Sequence, residues 1–263
     1  MEEKGQNANL LPLVEAIFEL RWKLLQPDPQ RPPEVDKNYK LAVGALFAKL
    51  HDDYPDHEPL PSSALPDEIS AYVVQHRFKT RGSGWPLVQV GQGILTVNDV
   101  PGYSWETFEP RLERAVKVLL DLYADMAGGL PVATLALRYI NAVPFDFQNR
   151  NALDFLKDNM GFSVGLADDL KKGFAGENPN AIDLSLQFQV AIPQSSDVVM
   201  RFFRGQQSSG TNGLMWETVV RARPDTIPAD MASIFGWTDK AHSLMLSLFT
   251  ALTSRMQNME ANN

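Results

Sequence analysis

A short segment near the start of the chain recurs in its middle, and this repeat constrains the fold more than any other feature. Residues 16–22 read AIFELRW and residues 133–139 read ATLALRY. Each segment alternates like a half-buried strand, and each is followed by helical and strand-like segments in the same order. Each half then closes with a long helix led by a tryptophan, Trp105 in the first half and Trp237 in the second. The repeat therefore predicts an architecture built from two similar units.

Each predicted unit contains a strand, a helix, three strands and a long helix. The three strands are joined by short turns, which favours antiparallel pairing, and their one-sided apolar pattern requires cover on one face. The prediction is an α+β protein with two β-α-β-β-β-α halves and a mainly antiparallel sheet covered on one face by long helices. The halves span residues 10–129 and 130–258, pack as one structural unit and follow a disordered tail at residues 1–9. The element order resembles the saddle of the TATA-box-binding-protein-like fold, an analogy that carries no function.

Composition excludes several classes of protein. The chain of 263 residues has no cysteine, which excludes a disulfide framework, a thiolate zinc site and a cysteine nucleophile. Its net charge of −8 argues against nucleic-acid binding, because an acidic protein repels phosphate backbones at long range. No signal peptide is visible, and no apolar run reaches the roughly 20 residues of a membrane span. The sequence predicts a cytoplasmic protein without a membrane segment.

Few residues suggest catalysis or metal binding. The segment 51–58, HDDYPDHE, holds two histidines and four carboxylates that could bind a cation, but its spacing matches no known site and favours a solvated loop. His242 and His76 could act as bases, yet neither has a nucleophile at a suitable spacing. No phosphate-binding loop, nucleophile elbow or zinc-protease motif occurs. We therefore predict no metal and no cofactor, and the sequence leans against an enzyme.

The polar face of the predicted sheet is the strongest candidate for a binding surface. Arg21 and Arg138 occupy equivalent positions of the repeat, and the planar guanidinium group suits carboxylate or phosphate recognition. The alternative is an ordinary solvated face, whose cross-strand ion pairs each contribute less than about 1 kcal/mol. The predicted binding residues are Glu15, Arg21, Arg138, Asn141, Glu217 and Arg221.

Five segments carry a resemblance to a protein family. They are PLVEAIFE at 12–19, LTVND at 95–99, YSWETF at 103–108, RYIN at 138–141 and AH at 241–242. Together they resemble a sporadically distributed family of bacterial and archaeal proteins with no established function. The resemblance implies a bacterial protein, and the patchy distribution implies an accessory component of a defence or stress system. It supplies no catalytic residues.

Three functions remain open at this point. We favour a binding or interaction protein that uses the arginine-bearing face, with a protein or a small ligand as its partner. The first alternative is a hydrolase or nuclease-like enzyme in which Glu15, Glu217, His76 and the arginines converge from different strands. The second is a nucleic-acid binder, which requires a continuous basic stripe. Because an open antiparallel sheet has exposed edges, a homodimer is also favoured.

Overall fold

The described residues form a nine-stranded antiparallel sheet and four α-helices. The computed structural model describes residues 13–24, 35–82, 84–100, 102–165, 167, 169, 172–174, 179–206, 210, 212–223 and 230–260, so the predicted tail at residues 1–9 lies outside the described residues. The strands are β1 Leu13–Trp22, β2 Asp56–Pro59, β3 Val74–Lys79, β4 Leu87–Gly91, β5 Ile94–Asp99, β6 Val132–Pro144, β7 Asp183–Val190, β8 Ser196–Gln206 and β9 Asn212–Ala222. The helices are α1 Tyr39–Leu50, α2 Trp105–Ala127, α3 Ala152–Met160 and α4 Met231–Glu260.

The strand order is β2-β3-β4-β5-β1-β6-β9-β8-β7, with every neighbouring pair antiparallel. Strands from residues 13–99 lie on one side of the sheet and strands from residues 132–222 on the other. The two segments that recur in the sequence, in β1 and β6, pair with each other at the centre, where Phe18 lies opposite Leu137. The α+β class and the antiparallel sheet are confirmed; the two related halves and the saddle stay predictions.

The helices cover one face because the strands alternate. On β1, Ala16, Phe18, Leu20 and Trp22 are buried, and the residues between them are only half-buried. The buried set packs into one core with α1, α2 and α4, whose inward residues recur every three or four positions as an amphipathic helix requires. A second core forms beneath α3. α2 ends where Gly128 adopts a left-handed conformation with φ of 74°, which glycine tolerates without strain.

Two elements differ from what the sequence pattern indicates. The polar stretch after α1 contains the short strand β2 rather than only a loop. The last helix begins at Met231 and passes through Gly236, so Trp237 lies inside the helix instead of leading it. Trp237 and Ile234 are buried in the core, so packing overrides the weak helix propensity of glycine. The hydroxyl of Thr238 donates to the carbonyl of Ile234 within the helix, at 2.9 Å, and caps nothing.

None of the described helices combines the length and the apolar character that crossing a bilayer requires.

Candidate functional site

The described helices leave one face of the sheet uncovered, and we call it the open face. It carries the side chains that alternate with the core residues, including Glu15, Glu19 and Arg21 on β1. The pairing register continues this face through Thr96 on β5 and Arg138 on β6. The open face therefore carries polar side chains, of which Thr96 is buried.

On the side of β1 to β5, a run of hydrogen bonds crosses the strands. Arg77 donates from Nε to the side-chain oxygen of Gln89 at 3.1 Å, and Gln89 donates to Asn98 Oδ1 at 3.1 Å. Asn98 then donates from Nδ2 to Glu15 Oε1 at 2.7 Å, and Thr96 donates to Asn98 Oδ1 at 2.7 Å. Asn98 is only 4% exposed. This run fixes Glu15 as a structural acceptor.

On the other side, arginines pair with carboxylates of neighbouring strands. Arg138 Nη1 lies 2.9 Å from Glu217 Oε1. Arg201 contacts Asp183 in a two-pronged arrangement, with distances of 2.7 and 2.6 Å, and this bond lowers the pKa of Asp183. On the first side, Arg21 Nε lies 2.8 Å from Glu19 of the same strand, β1. Arg21, Arg138 and Arg201 are thus paired with carboxylates within the face.

The remaining predicted binding residues are placed differently. Arg221 lies opposite Asp197 on β8, is exposed, and forms no ion pair with the described residues. Asn141 lies opposite Trp216, a core residue, so the strand alternation places it on the helix-covered face, where it is buried. Asn141 therefore does not share a surface with Arg138.

His76, which the hydrolase alternative groups with Glu15 and Glu217, lies on the helix-covered face of the sheet. His76 follows the alternation of the core residue Phe78 and packs near Tyr39 of α1, so the sheet separates it from Glu15 and Glu217. Its Nδ1 lies 3.0 Å from Nε2 of His57. Burial, with His57 adding to it, lowers the pKa of His76. Beside His76 lies a groove of about 660 Å³ between α1 and residues 63–67.

The histidines and carboxylates after α1 point to different neighbours. His51 and His57 both contact the ring of Phe47 rather than converging with the nearby acids. Among the described residues, no three histidine, aspartate or glutamate side chains are grouped as metal ligands. Glu58 instead lies 3.3 Å from Lys79 on the open face.

A second group of interacting side chains lies on the helix side, and its residues are far apart in the sequence. We call it the Tyr–His cluster, formed by Tyr103, Trp105, Tyr139 and His242. The hydroxyls of Tyr103 and Tyr139 are 2.5 Å apart, and the Tyr139 hydroxyl lies 2.7 Å from His242 Nδ1. Trp105 stacks on the His242 ring. These residues lie in three of the segments that carry the family resemblance. That shared membership is the sequence signal that could have predicted the cluster.

The electrostatics of the Tyr–His cluster favour neutral groups. Burial raises the pKa of Tyr139 well above its ordinary value and lowers the pKa of His242, with Glu106 and Asp239 opposing the latter change. Burial and a hydrogen bond to Asp239 raise the pKa of Glu109 to about 7. The cluster is therefore a chain of neutral hydrogen-bonding groups, and Glu109, which can hold a proton near neutral pH, lies close by on α2.

No family model, curated protein or solved structure in the three comparisons matches this chain.

Proposed function

We propose that this protein is a binding protein that recognises a partner protein through the open face. The observation that carries the proposal is the pairing of the arginines with carboxylates on the open face, which produces a mixed-charge surface of hydrogen-bonding groups. Such surfaces suit protein partners, whose contacts combine polar and charged groups of both signs.

The charge pairing supports a protein partner over a polyanion. Nucleic-acid binding draws its affinity from free lysine and arginine side chains that displace counterions. Arg138 and Arg201 are already bonded to carboxylates, and a phosphate would have to displace those carboxylates. Arg221 is an exposed arginine of the open face that forms no ion pair with the described residues. With Arg138 and Arg201 already paired, Arg221 does not make a continuous basic stripe on a chain of net charge −8.

The shape of the surface supports a protein partner over a small ligand. Small-molecule sites are concave and enclose most of the ligand. The described grooves, of about 660 and 500 Å³, lie on the helix side, near α1 and between α2 and the start of α4. The hydrolase alternative is not supported with His76 as its base, since His76 and Glu217 lie on opposite faces of the sheet. A role in a defence or stress system and a cytoplasmic location stay predictions.

The test is a cross-linked pull-down from native bacterial extract with a double variant of the open face. Arg201→Glu and Arg221→Glu reverse two exposed charges. Arg114→Glu, an exposed arginine of α2 paired with Asp53, serves as the matched control on the helix side. We expect wild type and control to retain the same stoichiometric protein partner and the double variant to lose at least about tenfold in recovery, equivalent to about 1.4 kcal/mol. Equal recovery by all three proteins contradicts the proposal, as does co-purified nucleic acid that depends on the two arginines.

A further inference from the structure

Strand β7 ends one side of the sheet in the described part of the chain and is exposed along most of its length. Its helix-side residues include Leu186, which is 37% exposed, and Phe188, which is 51% exposed. Both face the side on which the core lies, because they pair with Met200 and Val198 of β8. Leu186 and Phe188, at the middle of the apolar row of β7, are therefore left uncovered by the described residues.

The open edge of β7 also carries backbone hydrogen-bonding groups. Arg204 N donates to the carbonyl of Ile182 at 3.1 Å, and these two residues are directly opposite in the β7–β8 register. Even-numbered residues of β7 therefore bond to β8, and the backbone groups of odd-numbered residues point away from the sheet. Ser185 and Gln187 present their N–H and C=O groups at this edge.

At the opposite edge of the sheet, strand β2 has features that hinder pairing with another strand. Strand β2 has four residues, and these include Asp56, Glu58 and Pro59. Short length, charge and proline all hinder the addition of another strand. β7 has eight residues, no proline and one charged residue, Asp183, whose carboxylate is already bonded to Arg201. The two edges thus differ, and only β7 has the features of an edge that accepts a strand.

We propose that two copies of this chain form a twofold dimer by antiparallel pairing of β7 with β7, centred on Leu186. This register places Ser185 opposite Gln187 of the second copy, so that their outward backbone groups bond. It places Leu184 opposite Phe188 on the apolar side. Asp183 lies opposite Gln189, whose amide can donate to the carboxylate, and no like charges face each other.

We assign a second copy of the chain to the edge of β7 because the sequence of β7 is complementary to itself. A twofold contact requires the same patch on both partners to fit in both directions. In β7 the polar residues occupy odd positions and the apolar residues even positions on both sides of Leu186. The net charge of −8 does not oppose the contact locally, because Asp183, the one charged residue of the strand, is neutralised by Arg201. The dimer forms through the edge of β7, and its tests at Leu186 and Gln187 leave Arg201 and Arg221 unchanged, so its failure is distinguishable from failure of the proposed partner.

A single-cysteine cross-link tests the register. The chain has no cysteine, so Leu186→Cys introduces the one thiol of the protein. In the proposed dimer the two positions form a pair without backbone hydrogen bonds, with Cα atoms about 4.5 Å apart, within disulfide reach. Under mild oxidation we expect a product of twice the chain mass of 29.3 kDa. Leu41→Cys, on an exposed position of α1, is the control and should remain monomeric. No product from Leu186→Cys, or equal product from the control, overturns the proposal.

Sedimentation of variants at the edge tests the pairing itself. Gln187→Pro removes one outward N–H, which an edge strand tolerates in the monomer. Gln187→Ala removes the side chain but keeps the N–H. We expect a dimer mass for wild type and Gln187→Ala and a monomer mass for Gln187→Pro, with unchanged circular dichroism. If Gln187→Pro fails to fold, Leu186→Lys, which places two ammonium groups at the twofold axis, gives the same expected loss. A wild-type chain that stays monomeric at all concentrations, or that binds a foreign extended peptide at this edge, contradicts the dimer.

Discussion

The imidazole of His242 lies parallel to the indole of Trp105, with ring centroids 4.1 Å apart and 4° between the planes. This stack fixes the histidine ring in the orientation in which Nδ1 meets the hydroxyl of Tyr139. Residues from α2, β6 and α4 therefore depend on one another. Because the contacts join the sheet to two helices, their removal should be measurable as a coupled loss of stability.

The first prediction is that His242 and Tyr139 are energetically coupled. His242→Ala removes the partner of the Tyr139 hydroxyl, and Tyr139→Phe removes the hydroxyl itself. We expect a coupling energy of about 1 kcal/mol in a double-mutant cycle, the usual net contribution of a hydrogen bond. Urea unfolding of the four proteins measures it. Ser243→Ala, whose hydroxyl bonds only to the carbonyl of Asp239 in its own helix, should have little effect. Strictly additive single variants would contradict the contact.

The second prediction concerns the stability of the folded protein at acid pH. Burial lowers the pKa of His242 below 6.5, although Glu106 and Asp239 partly oppose this. The unfolded chain therefore takes up this proton first as the pH falls. The contribution of neutral His242 is complete above pH 6.5 and is lost as the pH falls from 6.5 towards the folded pKa. We expect His242→Gln to reduce the decline of the unfolding free energy between pH 7 and pH 5. Ser243→Ala, which removes no ionisable group from the same helix, should leave the decline unchanged.

In the third prediction, stability depends on pH with the opposite sign. Burial and the hydrogen bond to Asp239 raise the pKa of Glu109 from 4.5 to about 7, so the folded state holds a proton that the unfolded state has released. This contribution is complete below pH 4.5 and is lost as the pH rises through 7. Glu109→Gln should unfold at higher temperature than wild type at pH 8 and match it at pH 4.5. Because the pair is largely exposed, the gain should stay below about 1 kcal/mol.

The elements that the sequence predicted well are those with a long periodic pattern. The apolar positions Tyr39, Val43 and Leu46 recur at helical spacing, and α1 forms over Tyr39–Leu50. β2 was missed because four residues that include a proline are too few for alternation to be recognised. The start of α4 was missed because Gly236 and Thr238 resemble a helix boundary, whereas burial of Trp237 keeps the helix continuous.

The functional residues were harder to predict than the fold because their grouping depends on strand order. Tyr103, Tyr139 and His242 lie far apart in the chain, and they meet only because β6 lies at the sheet centre beneath α4. Arg138 lies on the face that strand alternation indicates, but cross-strand register decides whether a carboxylate neutralises it. Sequence alternation assigns a side chain to a face and says nothing about its neighbour on the next strand.

The fourth prediction compares a buried with an exposed bond of the open face. Asn98→Ala removes a buried amide that bonds to Glu15 and accepts from Thr96, and it leaves those groups unpaired. We expect a loss of about 2 kcal/mol. Arg201→Ala breaks an exposed ion pair and should cost less than about 1 kcal/mol, declining further at high salt. Unfolding in urea at low and high salt measures both. Equal losses would contradict the idea that the run through Asn98 is structural.

The fifth prediction concerns Asp36, which joins three elements at one carboxylate. Its Oδ2 accepts from Trp22 Nε1 at 3.0 Å and from the Tyr123 hydroxyl at 2.5 Å, and its Oδ1 accepts from Asn38 N at 2.9 Å. Asp36 thereby ties β1 and α2 to the start of α1. Burial, together with the bond to Asp36, raises the pKa of Tyr123 and keeps the phenol in its donating form.

Asp36→Ala leaves the buried donors of Trp22 and Tyr123 without their acceptor, so we expect a loss of about 3 kcal/mol. Asp36→Asn keeps an acceptor oxygen but adds an N–H₂ group that faces a donor, and its loss should be intermediate. Tyr123→Phe removes one donor and should cost about 1 kcal/mol. In the double variant with Asp36→Ala, Tyr123→Phe should cost less than it does alone, because the unpaired hydroxyl is gone. Losses that simply add would show that the carboxylate does not hold α2 against β1.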